Sequence, residues 1–360
     1  PKQFRDYIRS RTAEDGTDTG LRLTKLFEVL NTAPEERSAL LDDDLTAFPY
    51  VNGGLFAENT PAPDFDANLR LALLLASQPD WHKVSPAIFG AMFQGVMDGD
   101  DRHDLGAHYT SEENILRVIK PLFLDNLYAE FDKARASKNR AQLLDAFHDR
   151  LASLTFLDPA CGSGNFLIVA YRELRRLELK VIEAKAKHST IVVLESDLRV
   201  RVEQFYGIEI DEFPVQIART AMWLTDHQMN LEAGRKIGHE YSRLPLTEGA
   251  HIVHANALTT DWSSVVRPED LDFIFGNPPF LGSRTMDKGQ KADLRAIAMG
   301  FPQAGFLDFV TGWYILADRM MTQNPAIEAA FVSTNSISQG EQPGILWPKL
   351  YANGNHITFA

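Results

Sequence analysis

The sequence predicts an α/β fold, a doubly wound and mostly parallel sheet preceded by an all-helical region. Three observations carry this. Apolar residues within 1–105 recur at helical spacing, as in Leu21, Leu23, Leu26, Phe27 and Leu30. Beyond residue 106, short apolar runs alternate with longer amphipathic stretches punctuated by Gly, Pro and charge, the pattern of βαβ units. Two of those runs end in Asp158 and Asn277, at the strand ends where open α/β sheets hold their ligands.

The helical stretches of the first region are separated by a Pro/Gly/Asn-rich loop from Phe48 to Phe65 and resume at Leu69 to Leu75. Asp98 to Gly106 is polar and turn-rich, and it sets the expected boundary between a helical region, 1–105, and an α/β region, 106–360. Ser111 or Thr110 suits the N-cap of a helix from Glu112 to Asp132. Strands are expected at 154–159, 204–210, 251–257, 272–276, 329–334 and 355–360, with helices at 164–187, 212–226, 305–323 and 343–351. The chain stops inside the last of these strands and opens on Pro-Lys-Gln-Phe-Arg-Asp without Met, so both ends read as cuts in a longer protein.

Composition narrows the function classes. The 49 Asp/Glu against 36 Lys/Arg leave a net charge of −13, which argues against a whole-surface nucleic-acid binder. Residues 1–105 hold 10 Lys/Arg against 18 Asp/Glu and the rest 26 against 31, so any nucleic-acid contact is local. The single cysteine, Cys161, excludes a disulfide framework and fits a reducing cytoplasm. No apolar run approaches the ~18 residues of a membrane span, and Leu69 to Ala76 is broken by Arg70.

The first strand runs into Asp158-Pro-Ala-Cys-Gly-Ser-Gly164 and a long helix. Gly162 and Gly164 allow tight turning and close approach of backbone to a ligand beside helix-terminal N–H groups. A dinucleotide loop would leave room for pyrophosphate, but the Asp158 carboxylate repels phosphate. It suits a cationic ligand bearing an amino group, such as S-adenosylmethionine. The second strand ends in Glu209, placed to accept hydrogen bonds from ribose hydroxyls; Asp211 and Glu212 suit the cap and first turn of the next helix. Glu195, after Thr190-Ile-Val-Val-Leu, is its rival. Asn256 closes the third strand and could bond the adenine amine of the cofactor or, equally, local backbone.

Asn277-Pro-Pro-Phe280 carries the most specific chemistry. The amine of adenine or cytosine is a poor nucleophile because its lone pair is delocalised into the ring. Hydrogen bonds from that amine to the Asn277 side-chain oxygen and the Pro278 carbonyl would favour a more tetrahedral nitrogen. Pro278 and Pro279 hold the backbone rigid, and Phe280 offers a face on which a flipped base stacks. Carbon-5 methylation of cytosine would need a cysteine here, and Cys161 is elsewhere. Past the tetrad, Arg284, Lys288, Lys291 and Arg295 outnumber the acids locally, which suits phosphate contact or a solvated helix face. Glu183-Ala-Lys185 and Pro79-Asp80 carry the letters of a nuclease site by accident of composition, as His103 and His108 do for a metal; no metal site is expected.

Together these residues resemble the amino-methyltransferases of DNA, which have the class I (Rossmann-like) methyltransferase fold. The Asp158 loop matches their cofactor motif and Asn277-Pro-Pro-Phe280 their catalytic tetrad, with Asn pointing to adenine N6. Gly106-Ala-His-Tyr-Thr-Ser111 looks like their Gly-x-Tyr-Tyr-Thr-Pro motif, departing at His108 and Ser111. That similarity implies that Tyr109 and Thr110 lie over the methionine moiety and that Asp158, Ala160, Gly162, Gly164, Glu209 and Asn256 hold the cofactor. The motif order is that of the gamma class, and a methyltransferase sheet of seven strands would need one more than the six expected. Pro49-Tyr-Val-Asn-Gly-Gly-Leu-Phe56 and Phe205 to Pro214 further resemble the MmeI-like single-chain restriction–modification enzymes, in which a helical connector precedes the methylase and a recognition domain for duplex DNA follows. A protein glutamine methyltransferase, or a module that binds cofactor without catalysis, are the alternatives.

Overall fold

The computed structural model describes residues 2–51, 56, 61–79, 84, 88, 110–186, 198–237 and 249–359. Backbone proximity divides the chain into two units, residues 1–85 with 240–249 and residues 86–239 with 250–360. The boundary expected at 98–106 lies outside the described residues, as do Tyr109, His103, His108 and Glu195.

The first unit is helical where described: α1 (Gln3–Arg11), α2 (Thr19–Leu30), the short α3 (Asp43–Thr46) and α4 (Ala67–Ala76). Its core gathers Tyr7, Ile8, Leu23, Leu26, Val29, Leu45 and Phe48. A guanidinium closes it: Arg37 donates to the carbonyls of Val29, Thr32 and Phe48, tying the end of α2 to the chain beyond α3. Of the leucines of α4, Leu73 and Leu74 pack against this core, whereas Leu69, Leu71 and Leu75 are exposed.

The second unit begins with α5 (Glu112–Ile119), a π turn over Lys120–Leu124 and α6 (Asp125–Ala136). Ser111 caps α5 by accepting the Asn114 N–H. The π turn falls at Pro121, which lacks the N–H an α-helix would use there. A helix not foreseen from the sequence, α7 (Arg140–Ser153), leads into the sheet. The sheet elements then alternate: β1 (Phe156–Asp158), α8 (Asn165–Ala186), β2 (Phe205–Glu209), α9 (Glu212–Ile237), β3 (His251–His254) and β4 (Phe273–Gly276). They continue through α10 (Lys288–Ile297), α11 (Thr311–Gln323), β5 (Glu328–Phe331) and α12 (Gln342–Ala352).

Five strands pair in the order β3-β2-β1-β4-β5, every neighbour parallel. β1 and β4 are buried along their whole length, as strands covered on both faces must be. A phenylalanine cluster fills one face: Phe156 stacks on Phe205 at 4.7 Å, and Phe123 of the π turn meets Phe156, Phe273 and Phe275. Behind α8, the fully buried Arg175 donates to Tyr171, Asp226 and Asn230 and pairs with Glu178, pinning α8 to α9. Glu178 also accepts the N–H groups of Arg199 and Val200, so the chain entering β2 is fastened to the same cluster.

Two expectations need correction. Residues 355–359 form no strand; Ile357 and Phe359 are exposed, Asn355 bonds Asp318 instead, and no ladder forms with another described strand. The expected helix at 305–323 starts only at Thr311, because Gln303 in the left-handed region and a 3-10 turn over Ala304–Phe306 interrupt it. The basic segment 284–295, read as phosphate contact or a solvated helix face, is helix from Lys288, where Asp287 and Gln290 form a capping box that opens α10.

Candidate functional site

In this strand order the chain moves from β1 outward to β2 and β3, then returns to lay β4 on the other side of β1. The crevice between the carboxyl ends of β1 and β4 is therefore the topological switch point, where open α/β sheets bind ligands. Two of the residue groups singled out in the sequence meet there. Asp158 ends β1, and Asn277 directly follows β4, which pairs with β1 through Phe156–Phe273 and Leu157–Ile274.

The β1 side is a carboxylate site. Asp158 is 1 % exposed and accepts one bond, from the Ala160 N–H at 3.0 Å. Across the loop, Glu209 at the end of β2 accepts the Gly162 N–H at 2.8 Å through one oxygen and the Asp211 N–H at 3.0 Å through the other. Neither acid forms an ion pair among the described residues. Burial pushes the Asp158 carboxyl up to about 8, with the nearby Glu209 adding to the rise; burial raises Glu209 as well, against its two backbone bonds. A buried and a half-buried acid without a counter-charge among the described residues favour a cationic ligand. The loop between them is pinned from three sides. Cys161 N–H bonds Ile208 of β2, Trp313 of α11 donates to the Pro159 carbonyl, and Gly164, at φ +84°, sits where an added Cβ would come 3.1 Å from Ala218 on α9.

The β4 side is neutral and rigid. Asn277 is half-buried, Pro278 buried, and Pro279 and Phe280 half-buried. Phe280 stacks on no other ring among the described residues, which leaves its face available to a planar ligand. Asn277 Nδ2 donates to Thr110 Oγ1 at 2.8 Å, across 167 positions of sequence. Thr110 is itself 9 % exposed and directly precedes the cap of α5. The two sides touch at Gly276: a Cβ there would come within 2.5 Å of Asp158 Oδ1.

Of the remaining expected residues, Asn256 turns its side chain inward: Oδ1 accepts the Leu258 N–H and Nδ2 donates to Asp293 on α10, both at 2.9 Å. Arg284 and Lys288 are exposed and Lys291 half-buried, at the start of α10. Glu183 and Lys185 lie within α8 and pair with Lys236 and Asp145, away from any nuclease arrangement. Among the described residues no helix is long and apolar enough to cross a membrane.

Sequence reasoning missed three supports: the bond of Thr110 to Asn277, the Trp313 anchor on Pro159, and the tie between Asn256 and Asp293. The first two join segments more than 150 positions apart and leave no local signature. The helix carrying Asp293 was legible, since Asp287 and Gln290 stand at capping-box spacing.

Comparison with known proteins agrees with this fold. Residues 132–360 match the family model of the MmeI DNA-methyltransferase domain, and residues 1–56 that of the MmeI helicase spacer domain. The chain belongs to the MmeI DNA-methyltransferase family. It is 38% identical over 362 aligned positions to DNA methyltransferase A of Bacillus subtilis (strain 168), covering 99% of this chain and 40% of that protein. It is also 48% identical, with a TM-score of 0.94, to the type IIL restriction–modification enzyme MmeI solved in complex with DNA, covering 98% of this chain and 47% of that one. The chain thus spans less than half the length of the relatives it matches. Membership in a methyltransferase family implies a methyl donor and an acceptor.

Proposed function

We propose that this chain transfers a methyl group from S-adenosylmethionine to N6 of an adenine flipped out of duplex DNA, within a restriction–modification protein. The observation that carries the reading is the junction of a cation-seeking carboxylate pair with an oriented amide at one switch point. S-adenosylmethionine, when bound, supplies an electrophilic methyl on a sulfonium, and its positive charge and amino group fit a site holding Asp158 and Glu209. Asp158, Ala160, Gly162 and Gly164 would hold the methionine side and Glu209 the ribose, with Tyr109 and Thr110 above the methionine moiety, as the family resemblance implies. For Asn256 the role shifts toward shaping the adenine end through Asp293, since its own amide is engaged on both sides.

On the acceptor side, Asn277 Oδ1 and the Pro278 carbonyl accept the two amine hydrogens. That pulls the nitrogen toward tetrahedral geometry and frees its lone pair for attack. Pro278 and Pro279 keep the acceptors rigid, and positioning of this kind supplies much of the rate. Phe280 stacks on the extruded base and offsets part of its unstacking cost. Residues 1–105, helical where described, serve as connector and 106–360 as the catalytic domain. Arg284, Lys288 and Lys291 lie where phosphate contact would be local, consistent with an acidic chain whose DNA grip comes mainly from elsewhere.

The test is chemical identification of the product. The full chain is incubated with tritium-labelled S-adenosylmethionine and unmethylated genomic DNA, and the DNA is digested to nucleosides. Label should co-elute with N6-methyl-2′-deoxyadenosine. Label in 4-methylcytosine, or in glutamine of added protein instead of DNA, overturns the assignment.

A further inference from the structure

We infer that Thr110 is a positioning residue of the methyl-transfer step, acting on the Asn277 amide through its hydroxyl; this rests on the reading of Asn277 as the acceptor of a substrate amine. A primary amide has two ends of similar shape and opposite function. Turned one way, Asn277 offers an oxygen to the amine. Turned by 180° about its last bond, it offers an NH₂ group, donor facing donor, and the amine is repelled. Nothing in the prolines that follow chooses between these, because they hold the backbone and not the side-chain torsion. Asn277 Nδ2 donates to Thr110 Oγ1 at 2.8 Å, so the hydroxyl holds the amide by its nitrogen end. That orientation presents the oxygen to a substrate amine, which meets it as a donor.

The hydroxyl is held well enough to do this. Thr110 is 9 % exposed, and its neighbour Ser111 caps α5. One position further, Glu112 makes a two-pronged bond to Arg172 on α8, at 3.1 and 2.5 Å. Ile115 and Ile119 on the next turns of α5 are buried. Arg172 belongs to the helix that leaves the glycine loop, so the loop of the methyl donor, the start of α5 and the tetrad form one connected frame. A segment whose similarity to known enzymes suggests a place over the methyl donor thereby also sets the acceptor's chemistry.

Thr110→Val replaces the hydroxyl by a methyl group of the same shape, and Thr110→Ser keeps the hydroxyl. With labelled S-adenosylmethionine and unmethylated genomic DNA, the full chain carrying Thr110→Val should lose roughly 10- to 100-fold in kcat. The loss should persist at saturating S-adenosylmethionine, with the KM for DNA and the melting temperature within about twofold or a few degrees of wild type. Thr110→Ser should recover most of kcat. Wild-type kcat in the Val variant overturns the inference, and so does a loss accounted for by weaker cofactor binding. Equal damage from Ser and Val overturns it too. Failure of the underlying reading looks different: the wild-type chain itself would place no label in adenine.

Discussion

The ends of β1 and β4 are adjacent strand ends built on opposite electrostatic plans. At β1, a carboxyl is buried without a cation and strained toward its neutral form. At β4, every group is uncharged, and the two prolines and a threonine hydroxyl fix direction instead of charge. Under the proposed function, the contrast lets one crevice take a cationic donor and a neutral, weakly nucleophilic acceptor side by side. Charge is placed where the ligand brings its own, and geometry where it does not. Gly276 is the seam, since only a missing side chain lets β4 pass so close to Asp158.

The comparison can be broken at either end. Asn277→Ala should have the largest effect, lowering kcat at least about 100-fold while cofactor Kd by calorimetry holds. A parallel loss of cofactor affinity would show that the two ends do not divide the work. Asp158→Asn should act in the opposite sense, weakening cofactor binding roughly 10- to 100-fold with a smaller effect on the rate at saturation. Gly276→Ala tests the seam: with a Cβ forced against Asp158, it should cost about 1–3 kcal/mol of stability by denaturant titration and impair donor and acceptor functions together.

The charge asymmetry also predicts a pH response. The folded chain keeps the Asp158 proton up to about 8, whereas the unfolded chain releases it near the ordinary carboxyl range of about 4. Between these values the folded state binds more protons, so this group's contribution to stability declines as pH rises through the window. A cationic ligand favours the ionised carboxyl, so thermal stabilisation by S-adenosylmethionine should grow with pH up to about 8. Asp158→Asn should flatten the melting-temperature profile of the unliganded chain. An unchanged slope in that variant removes Asp158 as its source. The smallest effect should come from Lys288→Ala, which should reduce the salt dependence of DNA binding by roughly one phosphate's worth and leave cofactor binding untouched.

Much of this was legible in the residues. Periodicity, glycines and prolines located all five strands to within a few positions, because a buried parallel strand needs an unbroken apolar run and its turns need special backbone. Asp158, Glu209 and Asn277 could be placed at strand ends for the same reason. Boundaries that depend on local competition were less clear: the start of α11 is set by a left-handed Gln303, and α7 carries no strong breaker to announce it. The final segment was apolar enough to read as a strand, yet a strand exists only with a partner, and residues 355–359 pair with none.

By itself, then, the sequence determined which chemical groups exist and on which element each one ends. It supplied the carboxylate before the glycines, the amide before the prolines and the ring after them, since each is written within a few consecutive residues. Only the tertiary structure decided that β4 returns beside β1, that Gly276 brings the end of β4 against a buried acid, and that the Asn277 amide meets Thr110. Those depend on hydrogen bonds and close approaches between segments up to 167 positions apart. No local pattern encodes such contacts; they exist because the sheet order closes the loops and the helices bury their apolar faces against it.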